Sequence, residues 1–212
     1  MRSHLCESHR EEVAATITHA IGVAGSVAAL VVMLGAAEGD PWKIVSAAVF
    51  GATLVLLYLS STLYHSFSGP RTKAVFQVLD HACIYLLIAG TYTPLTLVTL
   101  RGPWGWTLFG IVWALAAAGV IVKSLVPGKK ETRWSTALYL AMGWLVVIAA
   151  GPVLRLLSPP ALAWLAAGGL FYSFGVVFFV WQRLPYNHAV WHLFVLAGSA
   201  CHVVAVTRYI LQ

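Results

Sequence analysis

AVFQVLDHACIYLLIAGTYTPLTLVT, Ala74 to Thr99, is the stretch on which the fold turns. It stays apolar over more than the ~20 residues that carry a helix across the hydrocarbon core of a bilayer. It also holds one acid, Asp80, where an acid is costly. Similar runs recur on both sides, and the expected helices are residues 14–36, 43–66, 74–99, 104–126, 134–156, 161–183 and 187–210.

The composition agrees with that reading. Of the 212 residues, 60% are hydrophobic and 9% charged, against ~45–50% and ~25% in a soluble domain. Such a chain would expose apolar surface however it folded in water. Seven spans with short loops use up the length, so residues 1–212 are expected to form one all-α domain, a seven-helix bundle in the cell membrane. Met1 to Glu12 is polar and the first apolar run is long enough to span, so that run is expected to serve as a signal anchor rather than a cleaved leader.

Turn residues fall between the runs. Asp40-Pro41, Gly69-Pro70, Gly102-Pro103, Pro127-Gly128, Pro159-Pro160 and Pro185 sit where a missing amide hydrogen or a positive φ does least harm. Pro94 is inside the third run and is expected to kink it. Gly22, Gly25, Ala116, Gly119, Gly168 and Gly169 read as close helix contacts. Trp42, Trp104, Trp106, Trp134 and Tyr186 read as interfacial anchors.

The net charge of +6 is spread singly or in pairs between apolar runs, which argues for loops facing anionic lipid and against nucleic acid. Arg2, Arg10, Arg71, Lys73, Lys123, Lys129, Lys130, Arg133 and Arg183 fall on the side of the N-terminus, and Lys43, Arg101, Arg155 and Arg208 on the other. The positive-inside rule then expects a cytoplasmic N-terminus and an outside C-terminus. Cys6, Cys83 and Cys201 show no CxxC spacing, so no disulfide framework is expected.

Glu7, Glu11, Glu12, Glu38, Asp40 and Glu131 are assigned to the N-terminal segment or loops, which leaves Asp80 as the one acid within a span. A charge at mid-bilayer costs ~2.5–3.5 kcal/mol on insertion scales and so calls for a partner or a task. The plainer reading is an acid near a helix N-terminus at headgroup level. His188 and His192 are four apart on the seventh helix, about 40° around and roughly 6 Å along, so both imidazoles can face one ion. Ser61 and His65 repeat the spacing on the second. Two interfacial histidines bonded to carbonyls would look the same, but His65, Asp80 and His188 all fall at the same end of their helices, a coincidence of depth that favours a metal. Three neutral imidazoles leave a tetrahedral ion one open position for water, as in catalytic zinc sites, and Asp80 is placed to orient or deprotonate that water.

His19 is expected either in a supporting role or as a core histidine with its hydrogen bonds met. His81 points about 100° away from Asp80, and His202 lies roughly 15 Å beyond His192, so neither joins the same ion easily. Thirteen residues separate His188 from His202, a spacing that also suits stacked haems, yet no histidine stands opposite His202.

Glu11-Glu12-Val13-Ala14 through Ile17-Thr18-His19-Ala20-Ile21-Gly22 resembles the opening signature of the hemolysin III proteins. So do Ser61-Thr62-Leu63-Tyr64-His65, Leu79-Asp80-His81 through Ala89-Gly90-Thr91-Tyr92-Thr93-Pro94, and His188-Ala189-Val190-Trp191-His192. These are bacterial relatives of the progestin and adipoQ receptors and, more distantly, of alkaline ceramidases. The resemblance runs nearly end to end. It implies a seven-helix bundle with zinc on His65, His188 and His192, Asp80 beside the water and Ser61 nearby. One departure is Ala15, where the signature usually has Asn. The implied activity is zinc-dependent hydrolysis of a lipid amide or ester, with membrane lipids as partners. The alternatives are a hemolysin-like cytolytic or channel protein, and a membrane-homeostasis sensor whose zinc is structural.

Overall fold

A computed structural model of the protein describes residues 8–125 and 133–212, and among them every regular element is helical. Arg2, Cys6, Glu7, Pro127-Gly128, Lys129, Lys130 and Glu131 lie outside the described residues. The α-helices are α1 His9–Ala36, α2 Pro41–Ser66, α3 Pro70–Pro94, α4 Pro103–Leu125, α5 Arg133–Gly143, α6 Ala150–Leu156, α7 Pro159–Val180 and α8 Asn187–Ala205. Seven spans long and apolar enough to cross a membrane result, the third being Pro70–Thr99, the fifth Trp134–Leu156 and the seventh Asn187–Ile210. The protein is a multi-pass membrane protein.

Helix starts follow local chemistry. Pro41, Pro70, Pro103 and Pro159 each open a helix, at the position where no amide hydrogen is needed. The Asp40 carboxylate caps α2 by accepting from the amides of Trp42 at 2.8 Å and Lys43 at 3.2 Å. Ser8 and Glu11 form a capping box at the start of α1. Glu11 and Glu12 therefore belong to the first turn of the first span and not to a segment ahead of it.

Inside the spans, prolines change the winding. Pro94 cannot donate to the Gly90 carbonyl, and the third span continues past it as a π-helical turn, Leu95–Thr99, closed by the Leu100 amide on the Leu95 carbonyl at 2.8 Å. The fifth span is not one continuous α-helix. Pro152 withholds its donor from Ile148, and Leu145–Ala149 winds as a 3₁₀ segment between α5 and α6. The seventh span also ends in a π-helical turn, Val206–Ile210.

Packing order around the bundle is α4, α3, α2, α1, α8, α7, with the fifth span set loosely between α3 and α7. Gly22 lies under the Tyr58 ring and Gly119 under that of Tyr85, as small residues at close crossings should. Gly25 departs from its expected role, since nothing stands within 4 Å of where its Cβ would be. Trp104, Trp106, Trp134 and Tyr186 are exposed near helix ends, where amphipathic rings anchor a protein at the membrane boundary. Cys83 and Cys201 are buried free thiols.

Candidate metal centre

His65 is in the last turn of α2, and His188 and His192 are in the first turns of α8. The three rings meet edge to face. Their centroids are 4.9 Å apart for His65–His188, 5.1 Å for His65–His192 and 4.6 Å for His188–His192. One ligand atom from each lies within 4.8 Å of those of the others.

The hydrogen-bond partners fix how two of the rings face inward. His65 Nδ1 lies 2.8 Å from Glu12 Oε2, and because a carboxylate only accepts, Nδ1 carries the hydrogen and Nε2 the lone pair. That Nε2 is buried with no hydrogen-bond partner among the described residues. The other Glu12 oxygen receives Lys73 Nζ at 2.5 Å. His192 Nδ1 lies 3.3 Å from the Ala15 carbonyl and 3.2 Å from Thr18 Oγ1, whose own hydrogen is directed to the Ala14 and Ala15 carbonyls. This sets the same tautomer and leaves the Nε2 lone pair of His192 free to ligate.

Outer partners of this kind are what metal-ligating histidines use to hold ring and tautomer. A buried, unpartnered imidazole nitrogen is otherwise costly, and a cation held by the three rings relieves it. The residues present fit a metal ion, and an all-imidazole set suits zinc, copper, iron or nickel.

The first helix is the scaffold for all of this. Glu12 holds His65 and the Ala15 carbonyl holds His192. Glu11 Oε1 accepts from the amide of Tyr186 at 3.0 Å. Tyr186 is in a left-handed conformation, φ 57°, immediately before α8, so Glu11 pins the point from which His188 departs.

Asp80 on α3 and Ser61 on α2, 7% and 1% exposed, line one cavity of about 150 Å³ together with His188 and His192. Ser61 Oγ has no hydrogen-bond partner among the described residues. His19, deeper on α1, lines the same cavity and stacks on His192 with centroids 3.5 Å apart and planes 14° off parallel. Both His19 ring nitrogens are buried and unpartnered, so it is not a core histidine with its bonds met. His81 and His202 also line the cavity and stand outside the trio, as their spacing predicts.

Sequence reasoning brought the trio together and missed Glu12, Thr18 and Lys73. A signal for Glu12 was present. Ala15, His19, Gly22 and Ser26 are the buried stripe of α1, at the three-and-four spacing of one helix face, and Glu12 continues it by three residues toward the N-terminus. The Ala15 departure is also explained, because this position contributes its carbonyl and not its side chain.

Residues 7–203 match the family model described as Haemolysin-III related. The chain is 46% identical over 204 residues to Hemolysin-3 of Bacillus cereus, covering 95% of this chain and 93% of that one. It is 45% identical over 205 residues to the Hemolysin-3 homolog of Bacillus subtilis (strain 168), covering 96% of each. At 30% identity over 208 residues it is similar to the human Monocyte to macrophage differentiation factor, covering 95% of this chain and 85% of the relative. With the match running from the first turn of α1 through His202, this chain belongs to the haemolysin III family.

Proposed function

We propose that this protein is an intramembrane zinc-dependent hydrolase that cleaves an amide or ester bond of a lipid. The observation that carries the reading is the convergence of three imidazoles, two of which, His188 and His192, line a cavity whose wall also holds Asp80 and Ser61. His65, His188 and His192 hold the ion. When bound there, zinc would supply Lewis-acid chemistry and make water a better nucleophile near neutral pH.

The chain's own residues do the rest. Asp80 orients the attacking water and accepts its proton. Ser61, whose hydroxyl has no partner among the described residues, donates to the oxygen on which negative charge develops. Glu12, charge-paired with Lys73, keeps the His65 hydrogen on Nδ1 and so its lone pair on Nε2. The apolar lining, with Leu57, Ile84, Leu87 and Val195, receives the hydrocarbon chain.

Elemental analysis of the purified chain, followed by incubation with a panel of ceramides and phospholipids, tests the proposal. About one zinc per chain is expected, lowered by Ala at His65, His188 or His192 and kept by His202→Ala, with a fatty acid released from a member of the panel. A protein that contains no transition metal and gains none on dialysis overturns it. The name Hemolysin-3 carried by two relatives points instead to lysis. A pore calls for polar groups along its whole path, whereas the surface of this cavity is mostly apolar.

The same reading places the trio at the cytoplasmic face, from the excess of Lys and Arg on the side of the N-terminus. A reporter active only in the cytoplasm is expected to work at the N-terminus and stay silent at the C-terminus. The opposite pattern would move the site to the outer leaflet.

A further inference from the structure

The cavity runs on past the trio. Along α8 it reaches His202, ten residues and thus roughly 15 Å beyond His192. There it meets a second cavity of about 170 Å³, and Thr91, Tyr92, Gly143, Trp144, Gly169 and His202 line both.

The other polar side chains that line this part of the cavity are satisfied by the protein. The Tyr92 hydroxyl donates to the Gly143 carbonyl and accepts from the Val146 amide, each at 2.8 Å. Ser173 donates to the Gly169 carbonyl at 2.7 Å and accepts from Trp144 Nε1 at 3.0 Å. Thr91 donates to the Leu87 carbonyl at 2.8 Å. The Tyr172 hydroxyl meets Ser199 Oγ at 2.9 Å.

His202 differs. Its Nδ1 lies 2.8 Å from the Gly198 carbonyl, an acceptor only, so Nδ1 carries the hydrogen. Nε2 is then an acceptor, and it has no hydrogen-bond partner among the described residues. The residue is 9% exposed.

The position of the ring is built from both sides. A Cβ on Gly168 of α7 would overlap the His202 imidazole, and a Cβ on Gly198 of α8 would come within 2.8 Å of the Tyr172 ring. Each helix offers a glycine to an aromatic ring of the other, and the two rings stack with centroids 5.5 Å apart. Nε2 is thus a fixed acceptor in an apolar passage.

We propose that His202 Nε2 accepts a hydrogen bond from a hydroxyl carried on the hydrocarbon chain of a lipid whose polar end lies at the histidine trio. An unsubstituted chain passing this point leaves a buried acceptor unpaired, which is unfavourable, and a hydroxyl at the right depth removes that cost. The separation of His192 and His202 sets the depth at roughly 15 Å from the polar end. The inference rests on a lipid entering the cavity, as the preceding section reads it, and is independent of whether the lipid is cleaved.

The test is binding to the purified full chain in detergent. Stearic acid and the positional isomers of hydroxystearic acid compete with a fluorescent fatty acid. One isomer, hydroxylated in the distal part of the chain, is expected to displace the probe about tenfold better than stearic acid, the scale of one well-made hydrogen bond to a buried acceptor. His202→Phe keeps a ring against Gly168 and Tyr172, removes the acceptor, and is expected to bind stearic acid and all isomers alike. Equal wild-type affinities for stearic acid and every isomer, the result a resident water at Nε2 would give, overturn the proposal. A His202→Phe chain that retains the preference also overturns it. The wild-type comparison stands without any variant, so a misfolded His202→Phe leaves the test intact. No turnover enters the readout, so absence of hydrolysis leaves the preference standing, and loss of the preference leaves hydrolysis standing.

Discussion

The two sides of the cavity are built differently. The most apolar stretches of α2 and of the third span are 56% and 67% buried, whereas those of the fifth span and α7 are 17% and 11% buried. The packed side supplies His65, Ser61 and Asp80, and α8, at 44%, supplies His188 and His192. The thin side supplies wall: Tyr139, Trp144, Gly169 and Tyr172. The three imidazoles, Asp80 and Ser61 all stand on elements whose rotamers are locked by neighbours, and the thin side contributes wall alone.

That contrast can be tested by perturbing each side. The largest effect is expected at Asp80. Asp80→Asn keeps size and hydrogen bonding but removes the proton acceptor, so turnover of the responsive lipid should drop roughly a hundredfold or more, with zinc content unchanged. Retention of both zinc and full activity would remove Asp80 from catalysis and favour a structural role for the ion. Next comes Glu12→Gln, which leaves a hydrogen-bond acceptor for His65 but takes away the charge that Lys73 neutralises. Zinc affinity, read by competition with a chelator, should weaken about 10–100-fold. An unchanged affinity would mean that His65 is oriented by packing alone.

The smallest effect separates the two sides by their glycines. An alanine Cβ at Gly22 would meet Tyr58 Cδ1 at 2.5 Å, whereas at Gly169 the nearest atom is Trp144 Cζ2 at 3.5 Å, an ordinary contact. Gly22→Ala should destabilise the bundle by about 1–3 kcal/mol through overpacking. Gly169→Ala should be neutral or slightly stabilising, since alanine is the better helix former. Thermal unfolding in detergent measures both, and equal losses would mean the fifth span and α7 close more tightly than described.

Much of this was legible in the residues alone. Apolar run length locates all seven spans, because the bilayer imposes it, and the shared depth of His65, Asp80 and His188 points to the end of the bundle where the three imidazoles meet. What escaped were features set by partners distant in the chain. Glu12 reads as an acid of the N-terminal segment because its partner, His65, lies 53 residues away. The unpartnered nitrogens of His19 depend on which side of α1 faces α8. The 3₁₀ break in the fifth span was in principle readable from Pro152, in the way Pro94 announced the change of winding after it.

The clamp formed by α1 also has a consequence in time. Ala15 holds His192 across 177 residues of chain, and at the usual ~5–20 residues per second of synthesis roughly 10–35 s separate the making of the two. Throughout that interval the first helix waits in the membrane with the acid that serves His65 and the carbonyl that serves His192. The second helix soon brings His65 to Glu12, but the corner where the three imidazoles meet closes only when α8 arrives. Any ion held there under the proposed function is therefore captured late, only once α8 has been inserted beside α1 and α2.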